Sequence, residues 1–314
     1  MNFKDKTVLI TGGSGFIGRY ITKYLLTIGV KKIIIYSRDE SKHAEMRKSI
    51  FDNKDVMRYY VGDVRDRERL QRALTGVDYV IHAAALKRVE TAETDPNEFV
   101  KTNILGSINV IECSIDREVK KAILISSDKA CSAITLYGYT KAVAERIFQQ
   151  ANVYSKNHAF KSCVVRYGNV AGSTGSIIPF FKEYKEERLP VTDYEMTRFW
   201  IDPEEAVKLI VFALEYGMSG EIFIPKLPSF KIVDLVKSFE KDYKIIGIRN
   251  IEKLHEEMIA KYEKCFDLGK YYVVTPNIKL DSPYNDFKEM PADFNYVSNI
   301  NKFMTVEELR EKIK

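Results

Sequence analysis

Near its amino end the chain reads Thr11-Gly12-Gly13-Ser14-Gly15-Phe16-Ile17-Gly18, directly after the β-branched run Thr7–Thr11 and at the opening of an amphipathic stretch, Phe16–Ile28. No other feature restricts the fold as much. A strand that turns sharply into a helix needs a residue without a Cβ at the turn, another where backbone approaches an anion, and a third where helix packs on strand. Gly12, Gly15 and Gly18 have the spacing for these three tasks. The helix that follows offers free N–H groups and the positive end of its dipole. The expected ligand is the pyrophosphate of a dinucleotide, held by Gly12, Ser14, Gly15, Phe16 and Ile17. Three glycines alone would fit an ordinary turn; the strand–loop–helix order is what separates the two readings.

The chain continues as that loop demands. Short apolar runs (Thr7–Thr11, Lys32–Tyr36, Met57–Val61, Tyr79–His82, Lys121–Ser126 and Ser162–Tyr167) alternate with helical stretches (Phe16–Ile28, Arg65–Leu74, Asn97–Ser114 and Tyr137–Ala151). Strands apolar on both faces, separated by helices, predict an α/β fold with a doubly wound parallel Rossmann sheet and its ligand beyond the strands' carboxyl ends. After Arg166 the rhythm changes. Gly, Ser and Pro crowd 168–179, a charged helix is expected over Phe180–Arg188, another over Asp202–Tyr216, and strands at Glu221–Pro225 and Tyr271–Pro276. The expected division is a dinucleotide-binding domain of residues 1–167 plus about 200–225. A smaller, discontinuous C-terminal substrate lobe takes about 168–199 plus 226–314. With 314 residues, two domains are the natural number.

Charge and cysteine content exclude several classes. The 49 Lys+Arg against 44 Asp+Glu leave a formal charge of only +5, spread without a basic arm, so nucleic acid is not a predicted partner. Cys113, Cys131, Cys163 and Cys265 have no metal or disulfide spacing, and neither have the four histidines, so no metal is expected. The chain moves from MNFKDK straight into a strand and has no long apolar run. A cytoplasmic protein without membrane contact is expected.

Coenzyme choice turns on the residues after the second strand. Where an acidic side chain would hold a ribose 2′-hydroxyl, the sequence has Ser37-Arg38, with Lys42 nearby, a set suited to the 2′-phosphate of NADP. The other reading leaves Arg38 solvated and gives the ribose to Asp39. Asp63 and Val64 after the third strand, and Ala83, Ala84 and Ala85 after the fourth, are placed for the adenine and for room around the coenzyme; both could also be plain turns. Tyr137 and Lys141 stand at i and i+4, on one helix face. The expectation is that the Lys141 ammonium lowers the Tyr137 pKa and makes it a base, while Ser127, at the end of the preceding strand, hydrogen-bonds the same substrate oxygen.

TGGSGFIG, HAAA, SSDKA, YGYTK and RYGNVAGS together resemble the extended short-chain dehydrogenase/reductase family that processes nucleotide sugars. ALKRVE, SSDKAC, TDYEMTRFW, GEIFIPKLPS and IIGIRNIEKLHE are similar, more specifically, to its inverting UDP-N-acetylglucosamine 4,6-dehydratases of pseudaminic acid biosynthesis. The likeness runs over most of the chain. It implies UDP-N-acetylglucosamine as substrate, NADP as coenzyme, a homo-oligomer (a hexamer in that subfamily), and the catalytic set Ser127, Asp128, Lys129, Tyr137 and Lys141. Asp128 would protonate the departing C6 hydroxyl and Lys129 would remove the C5 proton; without the resemblance, the pair reads as a surface salt bridge. It also implies substrate contacts from Lys87, Asn169, Thr192, Arg198, Arg249 and Glu252. Phe199 and Trp200 are as compatible with core as with a ligand platform. The sequence departs from the subfamily at Ser127, Arg88, Glu90, Tyr139 and Asn250-Ile251, around the expected sugar pocket. C5 inversion and release of a 4-keto-5,6-ene therefore both remain open. A UDP-sugar C4-epimerase and a nonenzymatic NADP-sensing regulator are the competing functions.

Overall fold

The computed structural model describes residues 3–52, 55–155, 159–218, 220–276 and 284–314. Six strands, β1 (Thr7–Thr11), β2 (Lys32–Ser37), β3 (Met57–Val61), β4 (Tyr79–His82), β5 (Lys121–Ile125) and β6 (Lys161–Val165), follow the sequence reading within a residue or two. They pair in parallel in the order β3-β2-β1-β4-β5-β6, and Ile222–Pro225 adds a seventh parallel strand beside β6. β1 and β4 are buried along their whole length because helices cover both faces of the sheet. Helices Phe16–Thr27 and Pro203–Tyr216 pack together on one side; Arg67–Ala73, Gly106–Asp116 and Leu136–Tyr154 pack on the other. The order reverses between β1 and β4, which opens a crevice at their carboxyl ends.

Three expectations need correction. The charged helix is shorter and earlier, Ile177–Glu183, and Arg188 instead begins a strand, Arg188–Val191, that pairs in parallel with Asp242–Ile245. A distant partner, not local propensity, decides this segment. The helix expected over Asn97–Ser114 is interrupted by a π-helical stretch, Val100–Leu105. Third, part of the region expected in the second lobe belongs to the large sheet: Tyr271–Val274, Cys265–Asp267 and Lys288–Glu289 extend it antiparallel beyond Ile222–Pro225, to ten strands.

The second lobe has a core of its own, with Phe181, Leu189, Trp200, Phe230, Leu235 and Leu309 at its centre. Trp200 is buried there, edge-on to Phe230, with its indole N–H donated to Asp202, and Phe199 is buried against Tyr296. Both are core residues.

Candidate active site

At the amino-end loop Gly12 lies in the left-handed region, φ +65°, and a Cβ there would meet the Ala84 backbone nitrogen at 2.8 Å. The loop after β1 thus lies directly on Ala83–Ala85 after β4. Gly18 also excludes a side chain, but against the loop itself, since a Cβ would sit 2.4 Å from the Gly13 carbonyl oxygen. Helix Phe16–Thr27 starts with no side-chain cap and no acidic residue in its first turn. Its first N–H groups therefore have no side-chain acceptor, and the cradle fits a phosphate. The floor is fixed by His82, which takes hydrogen bonds with Thr11 (2.7 Å) and Ser107 (3.1 Å); burial pulls its pKa down to about 3, so it is a neutral structural group.

At the ribose end, Ser14 and Ser37 share a hydrogen bond of 2.8 Å, and Ser37 also meets His43 at 2.5 Å. His43 was not singled out by the sequence; it is buried, and burial lowers its pKa. Asp39 accepts from the Lys42 backbone N–H at 3.0 Å as the cap of helix Glu40–Ser49, and its carboxylate also pairs with the Lys42 side chain at 3.4 Å. That carboxylate is committed to its own helix. Arg38 is half exposed, its side chain 3.6 Å from Asp63. Asp63 is held closely by Arg65, at 2.6 Å, so its carboxylate is already engaged. Val64 is buried against Gly106.

The catalytic candidates converge beyond β5 and β6. Ser127 ends the extended chain and donates to Asp128 Oδ1 at 2.8 Å; Asp128–Ala130 form a 3₁₀ turn that aims Asp128 inward. Asp128 is 1% exposed, with its backbone N–H on the Tyr167 carbonyl and its Oδ2 without a hydrogen-bond partner among the described residues. Lys129 Nζ lies 3.2 Å from Asp128 Oδ1, 3.3 Å from Asn169 Oδ1 and 3.3 Å from Glu256 Oε1. The Asp128–Lys129 pair is therefore a buried-to-half-buried ion pair inside the molecule, not a surface salt bridge. Burial raises the Asp128 pKa, and Lys129 offsets this only in part. Burial would lower that of Lys129, but Asp128 and Glu256 outweigh it and hold the amine as an ammonium.

The Tyr–Lys expectation changes in one respect. Tyr137 and Lys141 do share a helix face and both are buried, but Lys141 Nζ reaches past the phenol to the Ile125 carbonyl at 2.7 Å. Burial raises the Tyr137 pKa above its ordinary value, only partly offset by the Lys129 ammonium and by hydrogen bonding with Ser127. The cation that eases ionisation of Tyr137 in this arrangement is Lys129. Burial lowers the Lys141 pKa to about 8, with Glu145 acting against it. Tyr139 faces outward and does not shape this pocket.

On the substrate side the residues are nearer to one another than to a common anion site. Arg198 gives its fork to the carbonyls of Thr197 (2.7 Å), Lys253 (3.1 Å) and Leu254 (3.2 Å), and its Nε lies 3.6 Å from Glu256. Arg249 pairs with Glu252 at 2.7 Å and with Glu90 at 3.0 Å, so the departure at Glu90 joins the two lobes. Lys87 donates to the Thr174 carbonyl at 2.9 Å, and burial lowers its pKa. Thr192 contacts the Met196 sulfur at 3.2 Å.

Two further groups escaped the sequence reading. Glu256, in the segment after Arg249, lies far from Lys129 in sequence, and only the fold joins them. Asn103, within the π-helical stretch, takes the Leu86 N–H and donates to the Leu86 carbonyl and Thr140, tying the Ala83–Lys87 segment to the Tyr137 helix. A helical break beside a site is a recurrent device, but nothing in the residue pattern at 100–105 announces it.

Residues 8–276 match the model of the family described as polysaccharide biosynthesis protein. The chain is 46% identical over 322 residues to the UDP-N-acetylglucosamine 4,6-dehydratase (inverting) of Campylobacter jejuni subsp. jejuni serotype O:2, covering 97% of this chain and 96% of that one. It is 37% identical over 329 residues to the UDP-glucose 4-epimerase of Rickettsia felis, covering 98% and 95%. The X-ray structure of Pen from Bacillus thuringiensis superposes with a TM-score of 0.91 at 34% identity, over 100% of this chain and 98% of that one. A family match over most of the chain, a full-length relative close to half identical and the parallel sheet with its glycine loop agree: the chain belongs to the polysaccharide biosynthesis protein family of extended short-chain dehydrogenases/reductases.

Proposed function

We propose that the protein is a UDP-N-acetylglucosamine 4,6-dehydratase that uses NADP. The observation that carries this reading is the inward Asp128–Lys129 pair beside Ser127 and Tyr137. Epimerisation at C4 needs only oxidation and reduction at one carbon. Loss of water across C5 and C6 needs, in addition, a base for the C5 proton and an acid for the C6 oxygen. A lysine and a buried carboxylate 3.2 Å apart supply both. Moving one proton from Lys129 Nζ to Asp128 gives a neutral amine and a neutral carboxyl, the base and acid required. Burial of Asp128 favours that neutral form.

Ser127 and Tyr137 orient the C4 hydroxyl, and Tyr137 Oη takes its proton. The dinucleotide, held by the glycine loop, would supply the hydride acceptor for C4 and the hydride donor for C6. Lys129 Nζ removes the C5 proton made acidic by the C4 ketone, and Asp128 protonates the C6 oxygen, which leaves as water. Reprotonation of C5 by a group on the opposite face inverts that carbon; release of the 4-keto-5,6-ene would have to precede hydride return to C6 and would leave the coenzyme reduced.

NADP is favoured over NAD by Ser14, Ser37 and the half-exposed Arg38, together with the commitment of Asp39 to its helix cap. The coenzyme residues are those of the glycine loop, Asp63–Val64 and Ala83–Ala85, with Tyr137 and Lys141 toward the nicotinamide. Lys87, Asn169, Thr192, Arg198, Arg249 and Glu252 line the substrate side. We propose further a cytoplasmic homo-oligomer acting early in pseudaminic acid-type sugar synthesis. Leu105, Tyr139, Val143 and Val153, exposed on neighbouring helices, are consistent with pairing of copies.

Incubation with UDP-N-acetylglucosamine in deuterated water, read by mass and by C5 stereochemistry, tests the reading. Loss of water with deuterium at C5 is expected. Tyr137→Phe should slow turnover by about 10²–10⁴-fold, and Lys129→Ala should stop C5–H exchange while the fold persists. An unchanged mass with C4 epimerisation would instead favour an epimerase.

A further inference from the structure

Two buried carboxylates, not one, face the Lys129 amine. Asp128 is its sequence neighbour; Glu256 comes from the other lobe, at 3.3 Å and 2% exposed. Glu256 does not reach there by chance of a flexible side chain. Its backbone N–H donates to Ser298 Oγ at 2.9 Å and its carbonyl accepts the Ser298 N–H at 2.8 Å. The preceding His255 is tied to Thr197 at 2.8 Å. Arg198, next along that strand, stands 3.6 Å from the same carboxylate oxygen that meets Lys129. The second oxygen, Glu256 Oε2, is buried without a hydrogen-bond partner among the described residues, as is Asp128 Oδ2. A buried carboxylate left half satisfied is costly for stability alone. Its retention beside the reacting amine points to a role in the chemistry.

We propose that Glu256 is a positioning residue for Lys129: anchored on the second lobe beside Arg198, its carboxylate clamps the amine next to Asp128 and governs when that amine releases its proton. The proposal rests on the reading of Lys129 as the C5 base. The charged and titratable groups facing Lys129 are Asp128 from its own turn, Glu256 and Arg198 from the second lobe, and Tyr137 from the helix. Those facing Glu256 are Lys129, Arg198 and Lys253, and Asp128 across the amine, whose pKa Glu256 raises. Against burial, Lys129 first and then Arg198 and Lys253 hold Glu256 ionised, and Glu256 with Asp128 in turn keeps Lys129 an ammonium. Handing its proton to Asp128 is then opposed until something weakens the Glu256 contact. An anionic substrate drawing on Arg198 would alter the charge balance around both.

Glu256→Gln tests this, since the amide keeps size and one acceptor oxygen and removes only the charge. In the folded enzyme, NMR of labelled lysine side chains, with the Lys129 signal identified by its loss in Lys129→Ala, reads the amine directly. Its titration should fall by about one pH unit or more in Glu256→Gln. The rising limb of the pH profile for C5–H exchange should move to lower pH in the same sense, and Glu256→Asp should restore it in part. An unmoved titration and an unmoved limb, with activity lost evenly at every pH, would make Glu256 a structural residue and overturn the proposal. Normal dehydration by Lys129→Ala would instead sink the functional reading, and the amine titration would still decide whether Glu256 controls Lys129.

Discussion

Arg166, immediately after β6, is buried. Its guanidinium reaches Glu145 at 3.0 and 2.6 Å, Glu263 at 2.8 and 2.9 Å, and the Met258 carbonyl at 2.8 Å. All three charged side chains are at most 6% exposed. Together they join the end of β6, the helix that carries Tyr137 and Lys141, and the segment just after Glu256. Arg166→Met keeps volume but strands two carboxylates side by side in the interior. Removing one member of a buried ion pair costs about 3–5 kcal/mol, and two unpaired acids place the expected loss at the upper end. For a chain of 314 residues that is a fall in melting temperature of roughly 5–8 °C.

The pH dependence carries the sign of the argument. In the parent, burial would raise the Glu263 pKa but Arg166 more than reverses this, so the folded pKa lies below its ordinary 4.5. Its stabilisation is present at pH values above the unfolded pKa and is lost as pH falls through the folded one. In Arg166→Met the Ala260 N–H and Arg146 still favour the Glu263 carboxylate, but burial and the neighbouring Glu145 charge outweigh them, so Glu263 takes up a proton more readily when folded than unfolded. The variant's deficit should therefore shrink between pH 7 and about pH 5, where the acids become neutral and can hydrogen-bond each other. Urea unfolding followed by circular dichroism at both pH values measures it. A loss under about 1 kcal/mol, or a deficit constant with pH, would refute the reasoning. Replacing all three residues with apolar ones of similar volume should recover most of the loss.

Lys141→Met should abolish turnover yet raise stability at neutral pH. Its folded pKa of about 8 lies below the ordinary 10.5, so the unfolded chain binds the proton more tightly and stability of the parent climbs between those values. The shift is worth about 3 kcal/mol at most, and the orphaned Ile125 carbonyl takes back about 1–2, leaving a gain of about 1 kcal/mol at pH 7 that fades toward pH 10.5. Thermal melts at pH 7 and 10 would show it, and a variant less stable than its parent at pH 7 would count against it. Arg38→Ala should weaken NADP binding about tenfold or more, by loss of a charge-assisted contact, and leave NAD binding nearly unchanged. Calorimetry with the two coenzymes decides, and equal losses for both would return the ribose to another residue.

Much of the architecture was legible without coordinates, because it rests on local periodicity. The run Thr7–Thr11, the glycine loop and the amphipathic Phe16–Ile28 state a strand–loop–helix unit within a few residues of one another, and the five strands after it repeat the pattern. Tyr137 and Lys141 were equally visible, since a spacing of four puts two side chains on one helix face whatever surrounds them. Where a partner lay far away in the chain, the residues carried no sign of it. Arg188 was expected to end a charged helix and instead begins the strand Arg188–Val191, because Asp242–Ile245 lies alongside.

Beyond the adjacent Ser127, Asp128 and Lys129, the electrostatics of the site belong to tertiary structure. Sequence spacing set Lys141 as the cation for Tyr137; the fold drew its tip to the Ile125 carbonyl and turned Lys129 toward the phenol instead. It also brought Glu256 across from the other lobe to the same amine. Local pattern determines which backbone conformation a segment adopts, since that choice is made over a turn or a pleat. A proton affinity depends on burial and on every charge within a few ångströms, and those neighbours are chosen only when the whole chain closes.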